Sequence, residues 1–141
     1  METVETWRGI YPITSFVLEA LRRKRDGGDA AALSPEEKTL LTAVEFWAAA
    51  AHGTLHKHLR PKISQNLADA QRAFSALGAV RVVSLLRVAG EELHASPPRP
   101  SESAVIDQLD ERLARTDDNI EDLIARYAGE IDQSTESAAA R

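Results

Sequence analysis

The chain contains no cysteine among its 141 residues. This absence excludes disulfide bridges, thiolate metal sites and a cysteine nucleophile, and it favours a reducing compartment. Glycine and proline are sparse, at 7 and 6 residues, whereas alanine is abundant, so the composition favours helices over sheets. Aromatic residues make up only 5% of the chain, so leucine, valine, isoleucine and alanine must supply most of the core.

Long hydrophobic runs are also missing from the sequence. The longest covers residues 46–51, far short of the ~20 residues that a membrane-spanning helix needs. The N-terminus lacks the basic and then apolar pattern of a signal peptide. The sequence therefore predicts a cytoplasmic protein without a membrane span.

Catalytic motifs are absent as well. The chain has no glycine-rich phosphate loop, no dinucleotide fingerprint and no G-x-S-x-G nucleophile motif. Carboxylate pairs such as Glu91 with Glu92 are adjacent in sequence, so they diverge on a helix, whereas acid–base catalysis needs carboxylates that converge in a cleft. These absences predict a protein that is not an enzyme and that holds no cofactor.

What the sequence does contain is helical periodicity, which predicts an all-α protein. We expect a single antiparallel helical-bundle domain over residues 1–131, with about four helices, one short and three long. The helices are predicted at residues 12–25, 34–59, 61–94 and 101–131. The remaining segments are an N-terminal arm at 1–11, a proline-rich linker at 95–100 and a polar frayed tail at 132–141.

The second predicted helix has the clearest start signal. Ser34, Pro35 and Glu37 fit a capping box with proline at the first helical position. An apolar stripe follows at helical spacing and is expected to face the core. Its members are Leu40, Val44, Trp47, Ala51 and Leu55.

The last predicted helix carries a coiled-coil-like seam whose steps alternate between three and four residues. Its members are Ile106, Leu109, Leu113, Thr116, Ile120, Leu123 and Tyr127. Because the apolar phase is unbroken, we favour one helix of ~30 residues, roughly 45 Å long. The alternative is a new helix capped within residues 116–119. The first helix is too short to cover such a seam, so the mismatch favours completion of the bundle by oligomerisation.

A candidate protein interface follows from this seam and from Phe46. Phe46 lies on the opposite side of the second helix from the core stripe, next to Ala49 and Ala50. Either the first helix or the arm covers this face, or it is a docking or oligomer contact. The predicted interface residues are Phe46, Leu109, Leu113, Ile120, Leu123 and Tyr127.

Charge is unevenly distributed along the chain. The net charge is −5, but residues 101–141 carry a balance of −7 and residues 1–100 a balance of +2. Arg22, Arg23, Lys24 and Arg25 form a basic run at the end of the first helix, where cations complement the helix dipole. The alternative role for this run is contact with phosphates, although an acidic chain lacks the footprint of a nucleic-acid-binding protein.

Glu45, His52 and His56 form the one cluster with some resemblance to a helical metal site. The two histidines are four residues apart, but the glutamate of an H-E-x-x-H motif is missing between them. Glu45 lies two turns away, and no fourth ligand is evident. We therefore expect a polar helix edge and no bound metal.

The sequence thus favours a non-enzymatic helical protein that acts through protein–protein contact, with a second copy of itself or with another helical protein. One alternative is a small nucleic-acid-binding or regulatory protein that uses residues 22–25. A third is a ligand or metal pocket within the bundle, near Trp47 and His52.

Overall fold

The computed structural model describes residues 12–27, 33–60, 62–98, 100–116 and 118–139, with the backbone alone for residues 12–16 and 132–139. These residues form helices and no strand, which confirms the all-α prediction. The predicted arm at residues 1–11 lies outside them. The helices are α1 (Pro12–Asp26), α2 (Pro35–His52), α3 (Leu55–Leu59), α4 (Ile63–Leu77), α5 (Val80–Leu93), α6 (Glu102–Leu113) and α7 (Ile120–Ala139).

The prediction of about four helices is corrected to seven in the described residues, because three of the predicted helices are each divided in two. Two of the breaks share one backbone motif. Gly53 and Gly78 have φ angles of 76° and 82°, in the left-handed region that glycine adopts without strain. In each case the glycine and the next residue donate N–H groups to the last helical carbonyls, a Schellman motif that ends the helix.

The third break corrects the single long C-terminal helix. Residues 114–119 separate α6 from α7, and the Asn119 side-chain oxygen accepts a hydrogen bond from the Asp122 N–H at 3.2 Å, as an N-cap. The two halves pack on different partners: α6 contacts α3 and α5, whereas α7 contacts α1, α2 and α4. An uninterrupted helical spacing of apolar residues therefore does not imply one helix, because α6 and α7 each bury an apolar side against different helices. Helix α7 continues to Ala139, through the segment where a frayed tail is predicted.

Helix α2 is the centre of the fold and packs against α1, α3, α4 and α7. The capping box at its start is confirmed, since the Glu37 N–H donates to Ser34 Oγ at 3.1 Å and the Ser34 N–H donates to Glu37 Oε1 at 2.9 Å. The predicted core stripe of this region is also confirmed. Its buried members are Leu40, Val44, Trp47, Ala51 and Leu55.

Helix α5 begins without a capping side chain of its own, because Ala79 stands at its N-cap position. Asp118, from the segment between α6 and α7, replaces that cap: its Oδ2 accepts a hydrogen bond from the Val82 N–H at 2.9 Å. A carboxylate at this position satisfies an orphan donor and complements the positive end of the helix dipole. The contact fastens the segment before α7 to the start of α5.

Replacing Asp118 with alanine is therefore expected to lower the free energy of unfolding by about 1 kcal/mol, the typical cost of a lost N-cap. Asp118→Asn is the matched control, because its amide oxygen still accepts the Val82 N–H. Urea unfolding followed by circular dichroism measures both. Equal losses in the two variants would show that the hydrogen bond is not the source of the stabilisation.

Candidate functional site

An open pocket of about 320 Å³ lies between α1, α2 and α3. We call it the polar pocket. Its lining consists of Leu18, Arg22, Glu45, Ala48, Ala49, His52, Thr54, Lys57 and His58. It therefore joins members of two predicted clusters, the basic run of α1 and the histidine edge of α2.

The local sequence explains why a pocket forms here. Ala48 and Ala49 are small, so they leave space between the longer side chains of neighbouring turns. The left-handed turn at Gly53 then ends α2, and Lys57 and His58 of α3 lie beside the same pocket as His52. The carbonyl of Ala49 accepts the Thr54 N–H at 2.8 Å and the Thr54 hydroxyl at 3.3 Å. Thr54 thus caps the C-terminal end of α2.

Each cation of the predicted basic run is paired with a carboxylate of the chain. Arg22 contacts Glu45 Oε2 at 3.3 Å, and Arg25 Nη1 lies 3.7 Å from the same oxygen. Arg23 pairs with Glu19 one turn earlier on α1, at 3.0 Å. Arg22 and Arg25 thus join α1 to α2. The run acts in the fold as a set of helix contacts, which reduces the positive charge it presents to a nucleic acid.

Lys24 completes this pattern at the start of α2. Its Nζ lies 2.9 Å from Glu37 Oε2, the carboxylate that also closes the capping box. Burial alone would raise the pKa of Glu37, but the hydrogen bonds from the Ser34 backbone N–H and from Lys24 outweigh it and lower this pKa. The ionised Glu37 therefore ties the end of α1 to the first turn of α2.

Glu45, His52 and His56, the weak candidates for a metal site, are not all brought together: Glu45 and His52 line the polar pocket, whereas His56 does not. Glu45 pairs with arginines of α1, and His52 lies at the end of α2 on the rim of the polar pocket. His56 instead contacts α6, where its Nε2 is 2.7 Å from Asp107 Oδ1. Across the described residues, no group of three or more His, Asp or Glu side chains is placed to hold a metal ion.

His58 is a pocket residue that the sequence reasoning did not select. Its ring packs edge-on against Phe46, with centroids 6.0 Å apart, and faces the polar pocket. Burial lowers the pKa of His58; the charge of Glu45 opposes this shift and that of Arg22 adds to it. The imidazole is therefore neutral at pH 7. In the sequence His58 stands in a basic segment with Lys57, and periodicity alone does not place that segment beside Arg22 of α1.

The lowered pKa of His58 predicts a pH-dependent stability. The unfolded chain binds this proton more tightly than the folded chain, so the free energy of unfolding falls as the pH drops below 6.5, the ordinary value, and through the folded value. We expect wild type to lose more stability between pH 7.5 and 5.5 than His58→Gln does, as measured by urea unfolding. His94→Gln, at an exposed histidine, serves as the control. A slope that is unchanged in His58→Gln would contradict the assignment.

The predicted interface is largely corrected by the structure. Phe46 is fully buried, and its ring packs against Phe74 of α4 with centroids 5.6 Å apart. Helices α3 and α4 therefore help to bury Phe46, whereas the sequence suggested only the first helix or the N-terminal arm. Leu109, Leu113 and Ile120 are also buried within the chain. These four side chains belong to the core of one molecule and are not available as a surface.

Leu123 and Tyr127 are the predicted interface residues that remain partly exposed, on α7. Burial raises the pKa of Tyr127, and the nearby charges of Glu36 and Glu130 raise it further. Ile124 is fully buried but is not a member of the predicted seam. The seam assumed that the spacing of α6 continues through residues 114–119, whereas α7 begins after them as a separate helix.

A second depression lies next to these residues, between α1, α2 and α7, with a volume of about 190 Å³. We call it the apolar groove. Its lining consists of Val17, Ala20, Leu21, Lys24, Glu37, Leu40, Ala128 and Ile131. The ion pair of Lys24 with Glu37 forms its polar edge.

No helix in the described part of the chain is long and apolar enough to cross a membrane.

Comparison with known proteins gives one family match. The model of the DMP19-like protein family matches residues 31–134, which include α2 to α6 and most of α7. No curated protein matches the chain, and no solved structure does. Because the matched residues amount to well over half of the sequence, the chain belongs to the DMP19-like protein family.

Proposed function

We propose that this chain is a non-enzymatic helical-bundle protein that acts by protein–protein contact, and that its contact surface is the apolar groove together with the adjoining face of α7. The observation that carries the proposal is the partial exposure of Leu123, Tyr127, Ala128 and Ile131 along one helix. Apolar side chains that line a groove beside a polar edge are typical of surfaces that receive another protein.

The partner that we propose is a second copy of the chain. The groove lies between the end of α1, which carries the basic run, and α7, which belongs to the acidic part of the sequence. A two-fold axis at the groove would place the α1 end of each copy near α7 of the other. Arg23 and Glu19, which are 78% and 71% exposed, form a surface ion pair that contributes little to the stability of one molecule. Either side chain can therefore pair with an opposite charge of the second copy at little cost.

The experiment is a measurement of molar mass by light scattering on a sizing column, over a hundredfold range of concentration and at two salt levels. The test variant is Ala128→Arg, which places a long charged side chain in the groove. Ala125→Arg is the matched control, because Ala125 is exposed on the same helix and does not line the groove. Both substitutions preserve helix propensity, since arginine ranks close to alanine.

We expect wild type and Ala125→Arg to rise from the monomer mass of 15.4 kDa towards twice that value, whereas Ala128→Arg remains monomeric. A wild-type monomer at every concentration would overturn the choice of a second copy. Equal behaviour of the two arginine variants would place the contact elsewhere on the molecule.

A further inference from the structure

We infer that the polar pocket binds a small phosphate-bearing anion, either inorganic phosphate or a phosphomonoester. The pocket is separate from the apolar groove, since it is bounded by α3 instead of α7. The inference therefore does not depend on the proposed self-association. It is carried by the convergence of Arg22, His52, Lys57 and His58, which come from three helices.

The donor chemistry of the pocket suits phosphate. Arginine carries five N–H donors in a planar fork, and lysine carries three on a compact charge. The Arg22 Nε and Nη2 atoms both lie 3.3 Å from Glu45 Oε2, and one carboxylate oxygen does not employ all five donors of the fork. The rings of His52 and His58 line the same space, with His52 exposed at its edge and His58 half-buried.

The charge balance of the pocket also favours an anion over a cation. Glu45 is the one carboxylate in the lining, and both Arg22 and Arg25 lie within 4 Å of it. Its negative charge is therefore already compensated by α1. The Ala49 carbonyl at the end of α2 accepts from Thr54, so it does not offer the pocket an open acceptor for a cation.

The size of the pocket fits a small molecule. Its volume of about 320 Å³ lies at the lower end of the range of about 300–1,000 Å³ for small-molecule sites. Ala48 and Ala49 form an apolar part of the pocket lining that a short carbon chain can contact. A phosphomonoester would thus place its phosphate at Lys57 and Arg22 and its carbon atoms over the alanines.

The test follows the imidazole resonances of the full chain by NMR as a ligand is added at constant ionic strength. The probes are inorganic phosphate, glycerol 3-phosphate and a short single-stranded DNA. The variant is Lys57→Gln, and the matched control is Lys62→Gln, an exposed lysine five residues later that does not line the pocket. Neither lysine has a structural ion pair among those found in the described residues, so both variants are expected to fold.

We expect saturable shifts of the His52 and His58 resonances, and a roughly tenfold weaker affinity in Lys57→Gln, the cost of one charge-assisted contact. Lys62→Gln should bind as wild type does. Response to both small probes would indicate a phosphomonoester site, and response to phosphate alone would indicate free phosphate. No shift beyond that in chloride, equal weakening by both variants, or a response to DNA alone would overturn the inference.

Discussion

Replacing Phe46 with alanine is expected to lower the free energy of unfolding by about 3–5 kcal/mol, the typical cost of removing a large buried aromatic side chain. Phe46 is fully buried on the central helix, and its ring contacts Phe74 and His58 edge-on. Phe74 in turn packs against Trp47, with centroids 6.4 Å apart, so the cavity would open inside a continuous aromatic cluster. Such a loss is a large part of the ~5–15 kcal/mol by which a domain is usually stable.

Urea unfolding followed by tryptophan fluorescence measures this effect, since Trp47 belongs to the same cluster. Val80→Ala is the control, because Val80 is 73% exposed and its truncation should change stability by less than about 0.5 kcal/mol. If Phe46→Ala behaved like Val80→Ala, Phe46 would lie on the surface, as the sequence alone allowed.

The second large effect concerns the C-terminal seam. Simultaneous replacement of Leu113 and Ile120 with aspartate is expected to unfold the chain, because both side chains are buried within one molecule. An unpaired carboxylate in an apolar interior costs several kcal/mol even after its pKa has adjusted, and the lost apolar packing adds about 2–5 kcal/mol at each position. Together the two sites match the ~5–15 kcal/mol by which a domain is usually stable. Circular dichroism should show the loss of helix.

The matched control is Gln108→Asp combined with Ala125→Asp, which adds the same charges to exposed positions of α6 and α7. This control is expected to remain helical. A helical monomer in the Leu113 and Ile120 variant would show instead that the seam is an intermolecular contact, which is the role that the sequence suggested.

Local signals in the sequence were sufficient for the start of α2 and for its buried stripe. A capping box depends on residues within one turn, and the spacing of Leu40, Val44 and Trp47 reports which side of one helix is apolar. These features are independent of where other helices lie. Their prediction therefore needed no knowledge of the tertiary fold.

The breaks at Gly53 and Gly78 were missed because glycine ends a helix only if the backbone enters the left-handed region, and a lone glycine is also tolerated inside helices. The break before α7 is the alternative of a new helix capped within residues 116–119. One long helix was favoured over it because α6 and α7 bury stripes of similar phase, although against different helices. Whether an apolar seam faces its own chain or another is a property of the assembly of helices, so the sequence left the fate of Leu113 open.

The polar pocket was not predictable for the same reason. Arg22, Glu45 and Lys57 are brought together by the packing of α1 against α2 and by the break at Gly53. The basic run is visible in the sequence as a cluster of positive charges, but its carboxylate partners on α2 are more than ten residues away in sequence. Spacing along one helix does not reveal such partners.

The most direct test of the central claim is the thiol reactivity of single-cysteine variants, which is unambiguous because the chain has no cysteine of its own. The claim is that Leu113 is internal to one molecule and that Ala128 lies on its outer contact surface. In dilute native protein, Leu113→Cys should react more slowly than in urea by roughly a hundredfold or more, because labelling requires opening of the core. Ala128→Cys should react readily when dilute and slow down as concentration rises. Rapid labelling of Leu113→Cys in dilute protein, with protection appearing only at high concentration, would contradict the account.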